Sequence, residues 1–409
     1  MGFILLKNSR LRVNIIEIEV RKMCEELICR CEEVSRKEIE KAIDDGAVTV
    51  NEVKRFTRAG MGLCQGRTCR RLVERILSEK TGIPLSEIQP STYRQPVRPV
   101  RSDLIQEHKN NKSEGGEMMN NWGRIITAMV TPMDANGNIN YDKALEVAKY
   151  LIKEGSTALV INGTTGESPT VTQDEKLKLL SFIKKSVDVP IIAGVGTNST
   201  AATIENAIAA EKIGLDGLLV VVPYYNKPNQ DSLYEHFSEV AKAVKTPIMM
   251  YNVPGRTGVN MTAETSVALS KIPNIAALKE ASGDLNQLAT VVRDAEEGFL
   301  VYTGEDAQIL PTLAVGGYGV VSVTAHVVCK YIKKMIESYL SGNICEAGKI
   351  HRKLIKITEV MFMTANPIPV KAALNLLGMD VGITRLPLSA PSQDVIDALK
   401  DSMSEIGLL

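Results

Sequence analysis

The sequence predicts an α/β protein: a (β/α)8 TIM barrel with a C-terminal helical appendage, preceded by a small helical module that carries two pairs of cysteines. After Trp122, short apolar or β-branched runs alternate about eight times with amphipathic segments of helical length. This alternation is typical of a barrel rather than of an open doubly wound sheet. Most of the cysteines fall within the first 70 residues, and the polar stretch HKNNKSEGGEMMNN follows them. A separate cysteine module, joined to the barrel by a flexible linker, is therefore expected.

Size and charge narrow the class of protein. The chain has 409 residues, 44% of them hydrophobic, which predicts two unequal domains with a large core. Lysine plus arginine equals aspartate plus glutamate at 48 each, so no net field favours nucleic acid or an anionic membrane. No apolar run approaches the roughly 20 residues of a membrane helix, and the N-terminus alternates apolar and charged residues too finely for a signal peptide. We therefore expect a cytoplasmic protein without nucleic-acid or membrane partners.

The first elements belong to the small module. Residues 1–23 form either a short strand or a disordered extension. Two capping boxes follow, Ser35 with Glu38 and Thr49 with Glu52, and each predicts the start of a helix. The predicted helices are EIEKAID, a second helix through Phe56, and RRLVERILSEK, which ends at Gly82.

The cysteines of the module form two pairs on predicted loops. Cys29 and Cys31 precede the first helix, while Cys64 and Cys69 lie at the mouth of the third. An odd number of cysteines without a secretion signal argues against a disulfide framework and favours metal binding. By spacing alone, an iron–sulfur cluster and a structural zinc both remain open. Nearby glycines leave room for backbone N–H groups to reach sulfur, and nearby arginines favour thiolates: Gly60, Gly62, Gly66, Arg30, Arg67, Arg70 and Arg71.

The segment ICRCEEVSRKEIEKAIDDGAVTVNEVKRFTRAGMGLCQGRTC resembles the BFD-like 2Fe-2S domain. The C-x-C then C-x4-C form is the one found in small subunits of flavin-dependent amino-acid dehydrogenases. The resemblance covers about 24–105 and implies a 2Fe-2S cluster held by Cys29, Cys31, Cys64 and Cys69, whereas Cys24 does not match a ligand. It also implies a flavoprotein dehydrogenase as a possible partner.

The remaining chain is predicted as a linker at 106–121, the barrel at 122–343 and a helical region at 344–409. Met118 and the residues after it look like the start of a free-standing enzyme, which is compatible with a gene fusion or an internal translation start. The helical region is interrupted at Pro367 and Pro369.

Catalytic residues of a barrel lie at the C-terminal ends of its strands. One such end is IAALKE, which delivers Lys279. This lysine is either a side chain that reaches water or a desolvated amine that attacks a carbonyl and forms a Schiff base. The other strand ends place hydroxyls and a guanidinium at the same mouth of the barrel, and this company favours Lys279 as the amine that forms a Schiff base. The candidates are Thr164, Thr165, Tyr225, Tyr251, Arg256, Gly304 and Val321.

Four motifs, GTTGESPT, PYYNKP, YNVPGRTG and ALKEASGD, resemble those of the dihydrodipicolinate synthase family, in the pyruvate-dependent class I aldolase superfamily. The resemblance runs from Trp122 to Leu409. It implies a Schiff-base lysine, a general acid–base linked by a hydroxyl to a tyrosine from an adjacent subunit, and two sites for substrate carboxylates. The resemblance implies that Lys279 is the Schiff-base lysine and Tyr251 the general acid–base, which Thr164 links to Tyr225 of the adjacent subunit. Thr165 would bind the carboxylate of pyruvate and Arg256 that of the second substrate, with Gly304 and Val321 nearby.

The resemblance implies condensation of pyruvate with aspartate semialdehyde for lysine and diaminopimelate biosynthesis, with no cofactor beyond the lysine itself. A tyrosine acting in a neighbour's site further implies a homo-oligomer, a dimer of dimers. The alternative is that the cysteine module defines the role of the chain: electron transfer to a flavin dehydrogenase, fused to a related barrel such as a pyrroline-carboxylate deaminase of hydroxyproline breakdown.

Overall fold

The structure is a computed structural model, and it describes residues 26–62, 64, 66–91 and 122–409. The chain forms two compact units, Met1–Gly115 and Gly116–Leu409. The predicted extension at 1–23, Cys24, the end of the cysteine module and the predicted linker at 106–121 lie outside the described residues. The predicted domain boundaries therefore stay predictions.

The described part of the cysteine module contains three helices and a short antiparallel ribbon that the sequence did not indicate. Both predicted capping boxes are present: the Ser35 and Thr49 hydroxyls each accept a backbone N–H, and Glu38 and Glu52 accept the N–H groups of the caps. Gly82 ends the third helix in the left-handed conformation, as predicted. The elements are β1 (Leu27–Cys29), β2 (Val34–Ser35), α1 (Arg36–Asp44), α2 (Val50–Thr57) and α3 (Arg70–Thr81).

The ribbon and helices enclose a small apolar core. Ile39 and Val53 are buried in it, and so are Ile76 and Leu77 of α3. Cys29 and Cys69 belong to the same buried cluster, so two of the predicted ligands are held by core packing.

Eight parallel strands close into a barrel in chain order, and this confirms the predicted fold class. Every one of the eight apolar runs contains one strand. The runs are short and buried on both faces, which is why they read as continuous rather than alternating patterns. The strands are β3 (Ile125–Ala128), β4 (Ala158–Ile161), β5 (Ile191–Gly194), β6 (Gly217–Val221), β7 (Ile248–Asn252), β8 (Ile275–Glu280), β9 (Leu300–Thr303) and β10 (Gly319–Ser322).

Helices follow the strands and cover the barrel. Most begin at a side-chain cap that the sequence carries, such as Asn140, Thr172 or Asp284. The helices are α4 (Tyr141–Glu154), α5 (Gln173–Lys184), α6 (Thr200–Glu211), α7 (Gln230–Ala243), α8 (Pro254–Thr257), α9 (Ala263–Ser270), α10 (Leu285–Asp294), α11 (Ile309–Ala314) and α12 (Ala325–Leu340).

The predicted C-terminal helical region contains α13 (Ile344–Met361), α14 (Ile368–Leu376) and α15 (Gln393–Glu405). Pro367 separates α13 from α14, as predicted, whereas Pro369 lies inside the first turn of α14. Proline is tolerated there because the N–H groups of a first turn have no intrahelical acceptor. Among the described helices, none is both long and apolar enough to cross a bilayer.

Candidate active site

Lys279 is enclosed at the mouth of the barrel. It is the fifth residue of the six-residue strand β8, and its surface is 5% exposed. Its neighbour in the β7–β8 register is Tyr251, and the Nζ atom of Lys279 lies 4.3 Å from the centroid of that ring. The interpretation of Lys279 as a strand-end residue that reaches water is therefore wrong, because the strand end is covered.

Burial changes the protonation of this amine. Desolvation lowers the pKa of Lys279 to about 8, and the carboxylates of Asp306 and Glu305 oppose this shift. Burial also raises the pKa of Glu305, with Asp306 as the second cause. A lysine that gives up its proton near neutral pH is a nucleophile for carbonyl groups.

Tyr251 and Thr164 provide two linked hydroxyls beside the amine. Burial raises the pKa of Tyr251 to about 12, so the phenol stays protonated at neutral pH. The side chain of Thr164 is hydrogen-bonded to Tyr251, although Thr164 lies on the loop after β4 and Tyr251 lies within β7. A protonated phenol with a hydroxyl neighbour can pass a proton on without carrying a fixed charge.

The Lys279 side chain and most of the other candidate site residues line a cavity of about 160 Å³. Thr164, Thr165, Tyr251, Arg256 and Gly304 all line it. It adjoins a second cavity of about 410 Å³, and Arg256 with the two linked hydroxyls lies on the wall that both share.

Position 304 must be a glycine, because the backbone there passes close to the Lys279 side chain. A Cβ atom at this position would lie 2.8 Å from Cε of Lys279 and 2.7 Å from Cβ of Ala281. Val321 lies inside the barrel, fully buried among apolar side chains, and Val323, two residues further along, lines the cavity.

Tyr225 points away from the site of its own chain. Its side chain is 88% exposed and its backbone adopts a left-handed conformation with φ 75°. A non-glycine residue held with positive φ is uncommon and presents its ring outward here. The structure therefore brings together all the predicted strand-end residues except Tyr225 and Val321.

Two further residues at the cavity, Phe362 and Asn366, were not predicted from the sequence. Both belong to the segment between α13 and α14, which was predicted only as an appendage. The Nδ2 atom of Asn366 donates to Oγ1 of Thr165 at 2.9 Å. The sequence around Asn366, a polar residue before a proline, looks like that of an ordinary turn.

The four predicted cysteine ligands converge in the module as two pairs. Cys31 is hydrogen-bonded to Cys64, and Cys29 to Cys69. The backbone N–H of Thr68 lowers the pKa of Cys64 to about 7, and the thiol of Cys31 contributes to this shift. Burial raises the pKa of Cys69 to about 12. Among the described residues, no group of three or more histidine, cysteine or acidic side chains has the geometry to hold a metal ion.

The backbone approaches these thiols closely at two glycines. The N–H of Gly60 donates to Sγ of Cys29 at 3.4 Å. A Cβ at residue 62 would lie 2.3 Å from Cβ of Cys31, so the chain can pass this cysteine only as glycine. Four thiols in two pairs, with a donor to sulfur, fit a dinuclear cluster, which takes two ligands at each iron.

Family models match both parts of the chain. Residues 121–406 match the dihydrodipicolinate synthetase family, and residues 27–79 match the BFD-like [2Fe-2S] binding domain. Relatives named 4-hydroxy-tetrahydrodipicolinate synthase include one from Moorella thermoacetica, 48% identical over 290 residues, which are 70% of this chain and 99% of the relative. Another, from Thermosynechococcus vestitus, is 48% identical over 294 residues, covering 71% of this chain and 99% of the relative.

Solved structures agree with the sequence matches. A dihydrodipicolinate synthase from Bacillus anthracis has a TM-score of 0.69 at 43% identity, covering 70% of this chain and 99% of its own. The enzyme from Cyanidioschyzon merolae, solved with lysine bound, has a TM-score of 0.70 at 47% identity, with the same coverage of 70% and 99%. The chain is therefore a member of the dihydrodipicolinate synthetase family, which makes it a class I aldolase-type lyase, and it carries a BFD-like [2Fe-2S] binding domain as well.

Proposed function

We propose that the barrel condenses pyruvate with L-aspartate 4-semialdehyde to 4-hydroxy-tetrahydrodipicolinate, in lysine and diaminopimelate biosynthesis. The observation that carries the proposal is Lys279, a buried amine with its pKa lowered to about 8 beside the linked hydroxyls of Tyr251 and Thr164. The names of the most similar relatives support the choice of substrates. The proposal includes a cytoplasmic location.

The proposed reaction proceeds in three steps, and the site residues assist each of them. The neutral Lys279 amine attacks the carbonyl carbon of pyruvate, and water leaves as the imine forms. Loss of a methyl proton then gives an enamine, whose carbon attacks the aldehyde of the second substrate. Finally the amino group of that substrate attacks the imine carbon, closes the ring and releases Lys279. We assign the proton transfers to the hydroxyls of Tyr251 and Thr164, completed by Tyr225 of a neighbouring subunit.

The two substrate carboxylates need separate partners. Thr165, buried in the wall of the Lys279 cavity, is assigned to the carboxylate of pyruvate through its hydroxyl and backbone N–H. Arg256 lies where the two cavities meet, and its planar guanidinium suits the carboxylate of the semialdehyde. Gly304 contributes the space for the lysine stem.

Reductive trapping tests the Schiff base. Labelled pyruvate and cyanoborohydride should attach label to the full-length chain, and Lys279→Ala should abolish the label completely. Lys356→Ala, which removes an exposed lysine paired with Glu405, is the matched control and should keep it. A labelled adduct in the Lys279→Ala variant would show that another amine carries the reaction.

Substitution of Arg256 tests its proposed role in binding the second substrate. Arg256→Ala should raise the KM for the semialdehyde by roughly 10-fold to 100-fold, because a charge-assisted contact to one substrate is lost. The half-saturating pyruvate concentration should change far less. Arg293→Ala, at an exposed arginine that pairs with Asp294, serves as the control. An unchanged KM for the semialdehyde would remove Arg256 from the site.

A homo-oligomer is part of the proposal. The exposure of Tyr225 and its left-handed backbone support a role outside the site of its own chain. If it acts in a neighbour's site, Tyr225→Phe and Lys279→Ala chains, each with little activity, should regain activity when unfolded and refolded together. Mixed dimers then contain one site with both native residues. No recovery, with mixed dimers demonstrated by mass spectrometry, would count against this role.

We also propose that the module binds a 2Fe-2S cluster through Cys29, Cys31, Cys64 and Cys69. The match to the [2Fe-2S] binding domain and the paired thiols support a cluster over a single zinc ion. Anaerobically purified protein should contain two irons per chain and absorb visible light. Stoichiometric zinc without such absorption would replace the cluster by a structural zinc site.

The module supports a second candidate function. An electron-transfer domain fused to a related barrel, such as a pyrroline-carboxylate deaminase, would serve a flavoprotein dehydrogenase, and the match to the [2Fe-2S] domain favours this reading. The full-length chain should be assayed on pyruvate with aspartate semialdehyde and, separately, on the pyrroline carboxylate. Turnover of the pyrroline alone would establish the second candidate, whereas turnover of the first pair alone supports the synthase.

A further inference from the structure

Asn366 connects the C-terminal helical region to the pyruvate side of the cavity. Its side chain lines the Lys279 cavity and is 5% exposed. Its Nδ2 atom donates a hydrogen bond of 2.9 Å to Oγ1 of Thr165, which lies 201 residues earlier in the chain. This contact therefore exists only because the C-terminal region packs on the loop after β4.

The amide is incompletely satisfied. The Oδ1 atom of Asn366 is buried and makes no hydrogen bond with any described residue. A buried acceptor without a partner costs free energy, and most buried polar atoms in folded proteins have one. An asparagine kept here solely for stability would be expected to use both ends of its amide. Instead, its one hydrogen bond within the described structure goes to Thr165.

A buried ion pair holds the same two segments together close to this contact. Glu167, two residues after Thr165, accepts from Nζ of Lys371 at 2.7 Å and from the backbone N–H of Arg385 at 2.8 Å. Lys371 is 2% exposed and follows Asn366 by five residues. Asn366 and Thr165 are consequently fixed relative to each other.

The hydrogen bond has a chemical consequence for Thr165. A threonine hydroxyl has one hydrogen to donate and lone pairs that accept. Because Asn366 donates to the oxygen, the hydrogen of Thr165 remains available for an acceptor in the cavity, such as a carboxylate. We propose that Asn366 is a positioning residue that directs the Thr165 hydroxyl toward the carboxylate of pyruvate. This inference rests on the proposed use of pyruvate.

A double-mutant cycle in the full-length chain tests the proposal. The readout is the pyruvate concentration that half-saturates cyanoborohydride trapping on Lys279. Asn366→Ala and Thr165→Val should each raise it by more than about 10-fold, the effect expected from losing one hydrogen bond to a charged group. Since Asn366 acts through Thr165, the double variant should bind pyruvate no worse than Thr165→Val alone.

Two further measurements separate positioning from a structural role. The KM for the semialdehyde should stay within about twofold in Asn366→Ala, because Arg256 is untouched. Asn375→Ala, which removes hydrogen bonds to Gly382 and Val381 in the same region, should leave the half-saturating pyruvate concentration unchanged. An unchanged concentration in Asn366→Ala, multiplicative effects in the double variant, or an equal rise in the KM for the semialdehyde would overturn the proposal. Failure of the unmodified chain to trap pyruvate would instead contradict the proposed function.

Discussion

Lys279 shows how a single side chain can be tuned by opposing electrostatic effects. Burial favours the neutral amine, because a charge is poorly solvated in the protein interior. Asp306 and Glu305 favour the ammonium, and the Tyr251 ring beside Nζ does so as well. The result is a lysine whose pKa falls to about 8, close enough to neutrality for a useful fraction of free amine.

The rate of pyruvate trapping should therefore rise with pH and level off above the pKa of Lys279, with a midpoint near 8. Only the neutral amine attacks the carbonyl, and its fraction grows as the proton is lost. Asp306→Asn should move this midpoint to lower pH, since removing a carboxylate removes a force that favours the ammonium. The initial trapping rate is measured from pH 6 to 9 at saturating pyruvate.

The appropriate control for that shift is Asp294→Asn. Asp294 is at the surface, paired with Arg293, and does not contribute to the pKa of Lys279. Its pH profile should coincide with that of the unmodified chain. A midpoint that moves upward in Asp306→Asn would mean that the carboxylate does not act on the amine as a charge.

The position of a candidate residue could be predicted from the sequence where it depends on local signals. Lys279, Tyr251 and Arg256 stand at or just after the ends of recognisable strands, so a barrel brings them together by construction. Asn366 could not be found in this way. Its partner Thr165 is 201 residues away, and only packing of the C-terminal segment creates the contact.

At the scale of elements, the link between the C-terminal helices and the loop after β4 depends on the buried pair of Glu167 and Lys371. Lys371→Met should lower the free energy of unfolding by about 3–5 kcal/mol, because the Glu167 carboxylate loses its ion partner while still buried. Burial lowers the pKa of Lys371, and Glu167 opposes this shift, as expected for a cation stabilised by its partner. Urea denaturation followed by tryptophan fluorescence measures the change.

An exposed pair provides the comparison. Lys356 and Glu405 join α13 to α15, with more than half of each side chain in solvent. Lys356→Met should change the free energy of unfolding far less than Lys371→Met does, because solvent screens such pairs. Equal losses of unfolding free energy in Lys371→Met and Lys356→Met would show that burial does not determine how much the Glu167–Lys371 pair contributes to stability.

The helices and strands themselves were mostly predictable. Capping residues and apolar periodicity are local signals, and they located each barrel strand and the module helices. The ribbon of β1 and β2 was not predicted. Its strands are three and two residues long, too short for any alternation to appear, and one of them ends in Cys29, a predicted ligand.

The whole molecule joins two units with different chemistry. The proposed condensation forms a carbon–carbon bond and expels water, and its substrates and product exchange no electrons with an external acceptor. An iron–sulfur cluster supplies a one-electron couple, which no step of that reaction uses. Neither residue patterns nor the folds of the two units provide a physical reason for their fusion.

Loss of the cluster should consequently leave the condensation intact. We expect the full-length Cys31→Ser, Cys64→Ser double variant to lose its iron while kcat for pyruvate and aspartate semialdehyde stays within about twofold. These two cysteines are chosen because they lie outside the buried core that contains Cys29. Cys345→Ser, at an exposed cysteine of the barrel unit, should keep both iron and activity. A loss of kcat that follows the iron content would instead indicate that the module regulates the barrel, and the fusion would then have a functional reason.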